Sequence, residues 1–193
     1  MLSRSTARRP RVLVALGLAV LVAGGVAGCS EAAALDPEPS ASATEAPEVE
    51  PIFASDEEAL AAAVEAYDAY LAVSNQILND GGREPERIRG HATPEYAEKL
   101  IEGYNSYLEN DVSTEGSNTF DTVTLSNWDV TEGRADVQIY LCLDVSSTSV
   151  FKHGVDVTPV DRQLRTALII TLEGTDALQL SGSDRWSGHD FCS

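Results

Sequence analysis

The sequence predicts an α+β fold in which N-terminal helices pack on one face of a curved antiparallel β-sheet. Two observations carry this. Two segments with apolar residues at helical spacing, each opened by a helix-start signal, come first, over residues 55–79 and 93–108. From about residue 120 onward the apolar residues recur instead with the period of two expected of half-buried strands. Helices gathered ahead of a run of strands give a layered α+β domain. Residues 55–193 supply enough chain for one such domain.

Residues 1–28 read as a signal segment. Arg4, Arg8, Arg9 and Arg11 crowd the start, and no acidic residue precedes Glu31. Val12 to Ala27 is apolar or glycine throughout. A basic region followed by a short apolar run is the pattern of a secretory signal, and a membrane-spanning helix needs about 20 apolar residues. Arg8-Arg9 does not extend to a twin-arginine signal, because Pro10 and Arg11 stand where apolar residues belong. The run ends in Val26-Ala27-Gly28-Cys29, which resembles a bacterial lipobox: an aliphatic residue, two small residues and a cysteine. The resemblance implies cleavage between Gly28 and Cys29 and a diacylglyceryl group on the Cys29 thiol. A plain secretory signal, or an uncleaved anchor, with an incidental cysteine is the competing reading. Two acyl chains hold a protein stably on a bilayer where one holds it marginally. The expected localisation is the outer face of the cytoplasmic membrane.

Residues 29–54 read as a tether behind that lipid. The stretch holds Pro37, Pro39, Pro47 and Pro51, six acids and no base. Such a composition cannot bury enough apolar surface to order itself. Proline and self-repulsion extend it, to a reach on the order of 80 Å when fully stretched.

The folded domain is expected over residues 55–193. Ser55-Asp56-Glu57-Glu58 is a capping box, and Leu60, Val64, Tyr67, Leu71 and Leu78 follow at helical spacing, with Tyr70 and Ile77 widening the stripe. Asn79-Asp80-Gly81-Gly82 ends the helix, since glycine accepts the left-handed conformation of a helix cap. Thr93-Pro94-Glu95 opens the second helix with an N-cap, a proline at the first position and an acid in the first turn. Its stripe is Ala97, Leu100, Ile101, Tyr104 and Leu108. The intervening Arg83 to Ala92 is expected as a loop or one short helical turn.

Four strands are expected after that. Phe120 to Val130 alternates imperfectly, and Thr131-Glu132-Gly133 turns the chain. Arg134 to Val145 places Ala135, Val137, Ile139, Leu141, Leu143 and Val145 on one face. Arg134, Asp136, Gln138, Tyr140, Cys142 and Asp144 fall on the other. Gln163 to Leu172 and Leu178 to Trp186 complete the set, with Lys152-His153-Gly154 and Thr158-Pro159 marking a loop.

Of three cysteines, Cys29 is assigned to lipid. Cys142 and Cys192 remain, an even pair in an oxidising compartment, for which a disulfide is the default and two buried thiols the alternative. A metal site needs more ligands than this pair offers.

The whole chain has a formal net charge of −18 from 13 basic and 31 acidic side chains. Four of the basic residues leave with the signal, so nine bases face 31 acids and the mature charge is −22. Nucleic acid is excluded as a partner, because binding it requires a basic footprint. An anionic bilayer repels the same domain, which stays soluble and stands off the surface.

Several stretches carry a wider resemblance. HATPEYAEKL leading the second helix, YLCLDVS in a central strand and SGSDRWSGHDFC near the end, together with the lipobox, resemble actinobacterial lipoproteins of the NTF2-like superfamily, a cystatin-like, SnoaL-type cone fold. The arginine-rich, lysine-poor composition, with 11 Arg and 2 Lys, agrees with a GC-rich genome. The resemblance implies a Cys142–Cys192 pairing and a cone-shaped domain. The superfamily holds isomerases, dehydratases and non-enzymatic assembly domains, so the fold alone does not choose a function.

Catalytic motifs are missing: no HExxH, CxxC, G-x-S-x-G, Walker loop or GxGxxG occurs. His91, His153 and His189 lie far apart in sequence and read as solvated side chains. Asp129, Glu132 and Asp136 lack the spacing of a calcium loop and read as a charged hairpin turn. Ketosteroid-isomerase-like chemistry uses a carboxylate base with a tyrosine and a protonated acid around an apolar cavity. Tyr67, Tyr70, Tyr140 and Asp144 supply those residue types, but the two tyrosines on the helix read as core. No constellation converges, so neither a catalytic residue nor a cofactor is expected. The expectation is a lipid-anchored accessory domain that docks on an envelope protein. The alternatives are a domain holding a small hydrophobic ligand or cell-wall fragment in the cone, and an isomerase-like enzyme.

Overall fold

The computed structural model describes residues 52–189 and 191–192, all within the compact unit Glu45–Ser193. The expected signal segment 1–28, the expected cleavage at Gly28 and lipidation at Cys29, and most of the expected tether lie outside the described residues. The element order is α1 (Asp56–Asn79), a short 3₁₀ helix (Pro85–Gly90), α2 (Pro94–Glu109), β1 (Val112–Glu115), β2 (Thr119–Thr131), β3 (Arg134–Asp144), β4 (Ser149–Lys152), β5 (Val155–Asp156), β6 (Arg165–Gly174) and β7 (Gln179–Arg185).

The capping box at the start of α1 forms, with one shift of partner. The Ser55 hydroxyl accepts from the Glu58 N–H at 3.3 Å. The Glu58 carboxylate reaches one residue further back and accepts from the Ala54 N–H at 2.7 Å. The helix stops in a Schellman motif: the Gly82 N–H donates to the Ile77 carbonyl and the Gly81 N–H to the Leu78 carbonyl. Gly82 has a φ of +80°, and a Cβ on it would lie 2.1 Å from the Tyr104 carbonyl oxygen, so only glycine lets α2 approach here. α2 starts at Pro94 as expected, but Thr93 makes no side-chain cap bond.

The buried stripe of α1 is Ala59, Ala63, Tyr67, Leu71, Ser74 and Ile77. Its centre is rotated from the stripe read in the sequence. Leu60 and Leu78 are half-buried at its flank, and small Ala59 and Ala63 take the closest position to the sheet. On α2, Ala97, Ile101 and Tyr104 are buried, while Leu108, expected in the stripe, is exposed.

The main sheet has the order β2-β3-β6-β7 and is antiparallel throughout. Central β3 alternates as its sequence demands. Ala135, Val137, Ile139 and Leu141 are buried toward the core that the helices share. Ile170 and Leu172 of β6 and Leu180 of β7 complete it. Residues 91–93 cover the outer edge of β7: the Thr93 N–H donates to the Leu180 carbonyl and the Leu180 N–H to the His91 carbonyl.

Three features differ from the sequence reading. Phe53, placed there in the tether, is buried and packs edge-on against Trp128 at 5.7 Å, so the folded domain reaches back at least to Ile52. The stretch expected as a loop between the second and third strands forms a β4–β5 hairpin. His153 and Gly154, at φ of +51° and +74°, make its two-residue turn. This hairpin joins β1 in a second sheet of order β1-β4-β5. The third strand begins at Arg165 and runs to Gly174, two residues later than expected at each end. Glu132 and Gly133 form the β2–β3 turn as expected.

Candidate functional site

The informative surface of this domain is the segment from β5 into β6. Five large apolar residues are exposed among the described residues, and four of them lie between positions 155 and 164. Val155 is 63% exposed, Val157 and Leu164 47% each, and Val160 as exposed as in an isolated chain. Single exposed apolar residues are ordinary, whereas a concentration of them marks an interaction site.

The segment is held in place by its polar residues. The Val157 N–H donates to the Val150 carbonyl, and the Val150 N–H donates to the Thr158 hydroxyl, each at 2.8 Å. The Thr158 N–H donates to Asp156 at 2.8 Å. Bonds from the Thr158 hydroxyl and N–H hold the Asp156 carboxyl below its usual range. Arg162 donates to the Val145 carbonyl at 2.9 Å and to the Thr148 carbonyl. The polar side chains thus fasten the segment inward, and the valines are left outward on a defined frame.

The opposite face of β3 carries the chain's C-terminal segment. Cys142 and Cys192 form a disulfide with an S–S distance of 2.08 Å, and both are buried. Around it lie Ala167, Trp186 and Phe191. Tyr140 packs on Trp186 at 4.7 Å and on Phe191 at 6.2 Å. Arg165 ties the region together. It donates to the Cys192 carbonyl at 2.9 Å, to Asp144 at 2.9 Å and to both carboxylate oxygens of Asp121 at 2.6 and 2.9 Å.

The residue types required for isomerase-like chemistry are not brought together. Tyr67 is buried among the core residues, with Phe120 edge-on at 4.9 Å. Tyr70 lies beside Tyr67, at the hydroxyl pair in which Tyr104 donates to Ser74 at 2.9 Å. Burial raises the phenol pKa of both Tyr67 and Tyr70, so neither serves as a base at neutral pH. Tyr140 sits on the other face of the sheet, against Trp186. Asp144 is held ionised, chiefly by the Ser146 hydroxyl and N–H and then by Arg165, which is the opposite of the raised pKa that a general acid needs.

The remaining polar candidates also stay apart. His91 is half-buried beside the β7 edge, His153 contacts Asp111 at 3.0 Å, and the His189 carbonyl accepts from the Trp186 indole. Asp129 and Asp136 face each other across the β2–β3 pair, and Arg134 lies 3.7 Å from Asp136. Among the described residues no three His, Cys, Asp or Glu side chains are placed to hold a metal ion. No described helix is long and apolar enough to cross a membrane.

No family model and no curated protein matches the chain. Among solved structures, it is similar to the intermembrane space region of the chloroplast protein ARC6. The TM-score is 0.50 at 8% identity, over 67% of this chain and 97% of that one. That likeness is one of fold. A de novo designed β-sheet protein aligns over 70% of this chain and 96% of its own at 11% identity, with a TM-score of 0.28, too low for an argument. Sequence reasoning did not single out Val155, Val157, Val160 and Leu164. The sequence places this stretch in a loop, and only the three-dimensional arrangement shows how exposed these four side chains are.

Proposed function

We infer that this chain is a lipid-anchored, extracytoplasmic docking module: a non-catalytic domain on an NTF2-like frame that engages an envelope protein through the 155–164 segment. The single observation that carries the reading is the group of exposed apolar side chains on an internally bonded segment. A solvent-exposed Val160 contributes nothing to the core, and its apolar surface is stabilised only when a partner covers it. Fully buried residues such as Ile139, Leu141, Ile170 and Leu180 occupy the space between helices and sheet, where a ligand of the cone would otherwise sit. The lipobox at Val26–Cys29 and the acidic tether support the membrane-tethered location, and the domain's own acidity disfavours contact with an anionic bilayer.

The test places a photo-crosslinking amino acid at Val160 in the anchored protein in living cells, with the exposed Glu102 as the control position. A discrete adduct at Val160 that is absent at Glu102, and is abolished by Val157→Asp, is the expected result. An adduct pattern identical at the two positions refutes the docking role. The anchor is tested separately: mass spectrometry of the N-terminal peptide from the mature chain should show Cys29 as its first residue carrying a diacylglyceryl group, and an unmodified Cys29 thiol refutes the lipid.

A further inference from the structure

A groove of about 510 Å³ runs between the second half of α1 and the segment that leads from β1 into β2. It shares no residue with the 155–164 segment. Its apolar floor is Leu71, Ala72 and Phe120, and its walls carry carboxamides, hydroxyls and one carboxylate, Asp68. The volume lies within the range of small-molecule sites, about 300–1,000 Å³.

The walls are built before any ligand arrives. Asn75 holds the backbone of Asn118 with both ends of its amide: its N–H donates to the Asn118 carbonyl, and its oxygen accepts from the Asn118 N–H, both at 3.0 Å. Asn79 donates to the Gly116 carbonyl at 3.0 Å and accepts from the Thr114 hydroxyl at 2.6 Å. Thr148 donates to the Asn118 amide oxygen at 2.7 Å. Gly116, at a φ of +91°, packs so tightly on Ser147 that a Cβ would lie 1.9 Å from its carbonyl oxygen. Five hydrogen bonds and a forced glycine thus fix the rim of an otherwise open groove. With Asn75, Asn79 and Asn118 committed to that work, the polar side chains left for a ligand are Asp68, Gln76, Ser117 and Thr119. None of the four makes a side-chain bond among the described residues.

The chemistry of this lining selects a ligand class. No lysine or arginine lines the groove, which excludes phosphates and carboxylates as the recognised group. The polar groups along the walls and the open shape do not suit a lipid, which needs an enclosed apolar cavity. A planar carboxamide, a carboxylate that accepts from hydroxyl pairs and an aromatic ring beneath them complement a neutral polyhydroxylated ring. Its hydroxyls meet the walls, and its C–H face lies on Phe120. We propose that this groove binds a neutral saccharide, with Asp68 and Gln76 as its hydrogen-bonding residues and Phe120 as its platform.

Calorimetry on the full chain in a non-glycosidic detergent tests this, with the trisaccharide of N-acetylglucosamine and with cellotriose as probes. Saturable binding of at least one is expected. It should be weakened about tenfold or more by Asp68→Ala and also by Gln76→Ala, since each removes hydrogen bonds made only with ligand. Glu102→Ala, outside the groove, should leave binding unchanged. Asp68 and Gln76 are exposed, so both variants keep the fold, and an unchanged thermal midpoint checks that. No saturable binding of either sugar, or undiminished binding in either groove variant, overturns the proposal.

Discussion

Opening the Cys142–Cys192 bond is the perturbation with the most traceable cost. The bond closes a loop with a sequence separation of 50. In the chain-entropy model such a cross-link stabilises the folded state by about 4 kcal/mol, because it removes loop-closure freedom from the unfolded chain. For a domain of this size, each kcal/mol corresponds to roughly 3 °C in the unfolding midpoint, so the expected loss is about 12 °C. Local contacts go with it. The segment after β7 is also held by the Trp186 N–H bond to the Ala167 carbonyl, the Arg165 bond to the Cys192 carbonyl, the Trp186 indole bond to the His189 carbonyl and packing on Tyr140. The variant is Cys142→Ala with Cys192→Ala, since a serine at fully buried Cys142 would bring a hydroxyl with no designed partner. Thermal unfolding of the oxidised protein, the reduced protein and the double variant separates cross-link from cavity. The reduced and double-variant midpoints should fall together, and near-UV circular dichroism should show Trp186 losing its fixed environment. If reduction leaves the midpoint within about 2 °C of the oxidised value, the loop-closure reasoning is wrong.

Other outcomes follow from the same contacts. Asp121 is held below the usual carboxylate range by Arg165 and then by Thr122, and Asp144 by Ser146 and then by Arg165. Their contribution is present above the unfolded value near 3.9 and is lost as pH falls through the folded values, so the urea midpoint should drop in strong acid. Asp121→Asn with Asp144→Asn should flatten that drop, and an unchanged acid slope counts against it. Tyr67 and Tyr70 carry the opposite sign. Burial keeps the phenols protonated, so stability is full below about pH 10 and declines above it. Phenolate absorbance from these two should rise only with unfolding, and early titration in the folded protein would contradict their burial. Gly82→Ala should cost at least about 2 kcal/mol, from a positive φ and a Cβ driven into the Tyr104 carbonyl, read as a shift in the urea midpoint. Val157→Asp should leave the thermal midpoint unchanged while removing the adduct of the crosslinker at Val160; a fall in stability would mean that the Val157 side chain packs on something.

The sequence was most legible where local chemistry and pattern agreed. The Ser55–Glu58 box, Pro94 at the head of α2 and Gly81-Gly82 all act over a few residues, so their signals survive without tertiary context. The twelve-residue alternation of Arg134 to Val145 put the sheet's core face on the right residues, and with it Cys142 on the outer face. The failures are of another kind. Phe53 follows a proline-rich acidic run, and its place against Trp128 depends on a strand 75 positions later. β1, β4 and β5 run four, four and two residues, too short for a period to establish itself. The α1 stripe was centred on its largest apolar residues, whereas close approach to the sheet selects Ala59 and Ala63.

The same physics explains why neither proposed surface was visible in advance. An exposed valine and a buried one are the same letter, and in a stretch too short and too rich in turn residues to show a period nothing marks which way the side chains of VDVTPV face. What distinguishes residues 155–164 is that Thr158 bonds to Val150, Arg162 bonds to Val145 and Thr148, and Asp156 braces Thr158 within the segment, so the polar residues are the fasteners and the apolar ones the display. That inversion of the ordinary surface pattern bears on the partner. Asp156 and Asp161 lie within the segment, and the chain as a whole has a formal net charge of −18. A second copy of this domain would bring the same charge to the contact and be repelled. A partner that places basic side chains around an apolar ridge would gain on both counts. Its association should then slow as ionic strength rises, whereas contacts with the valines themselves would be insensitive to salt.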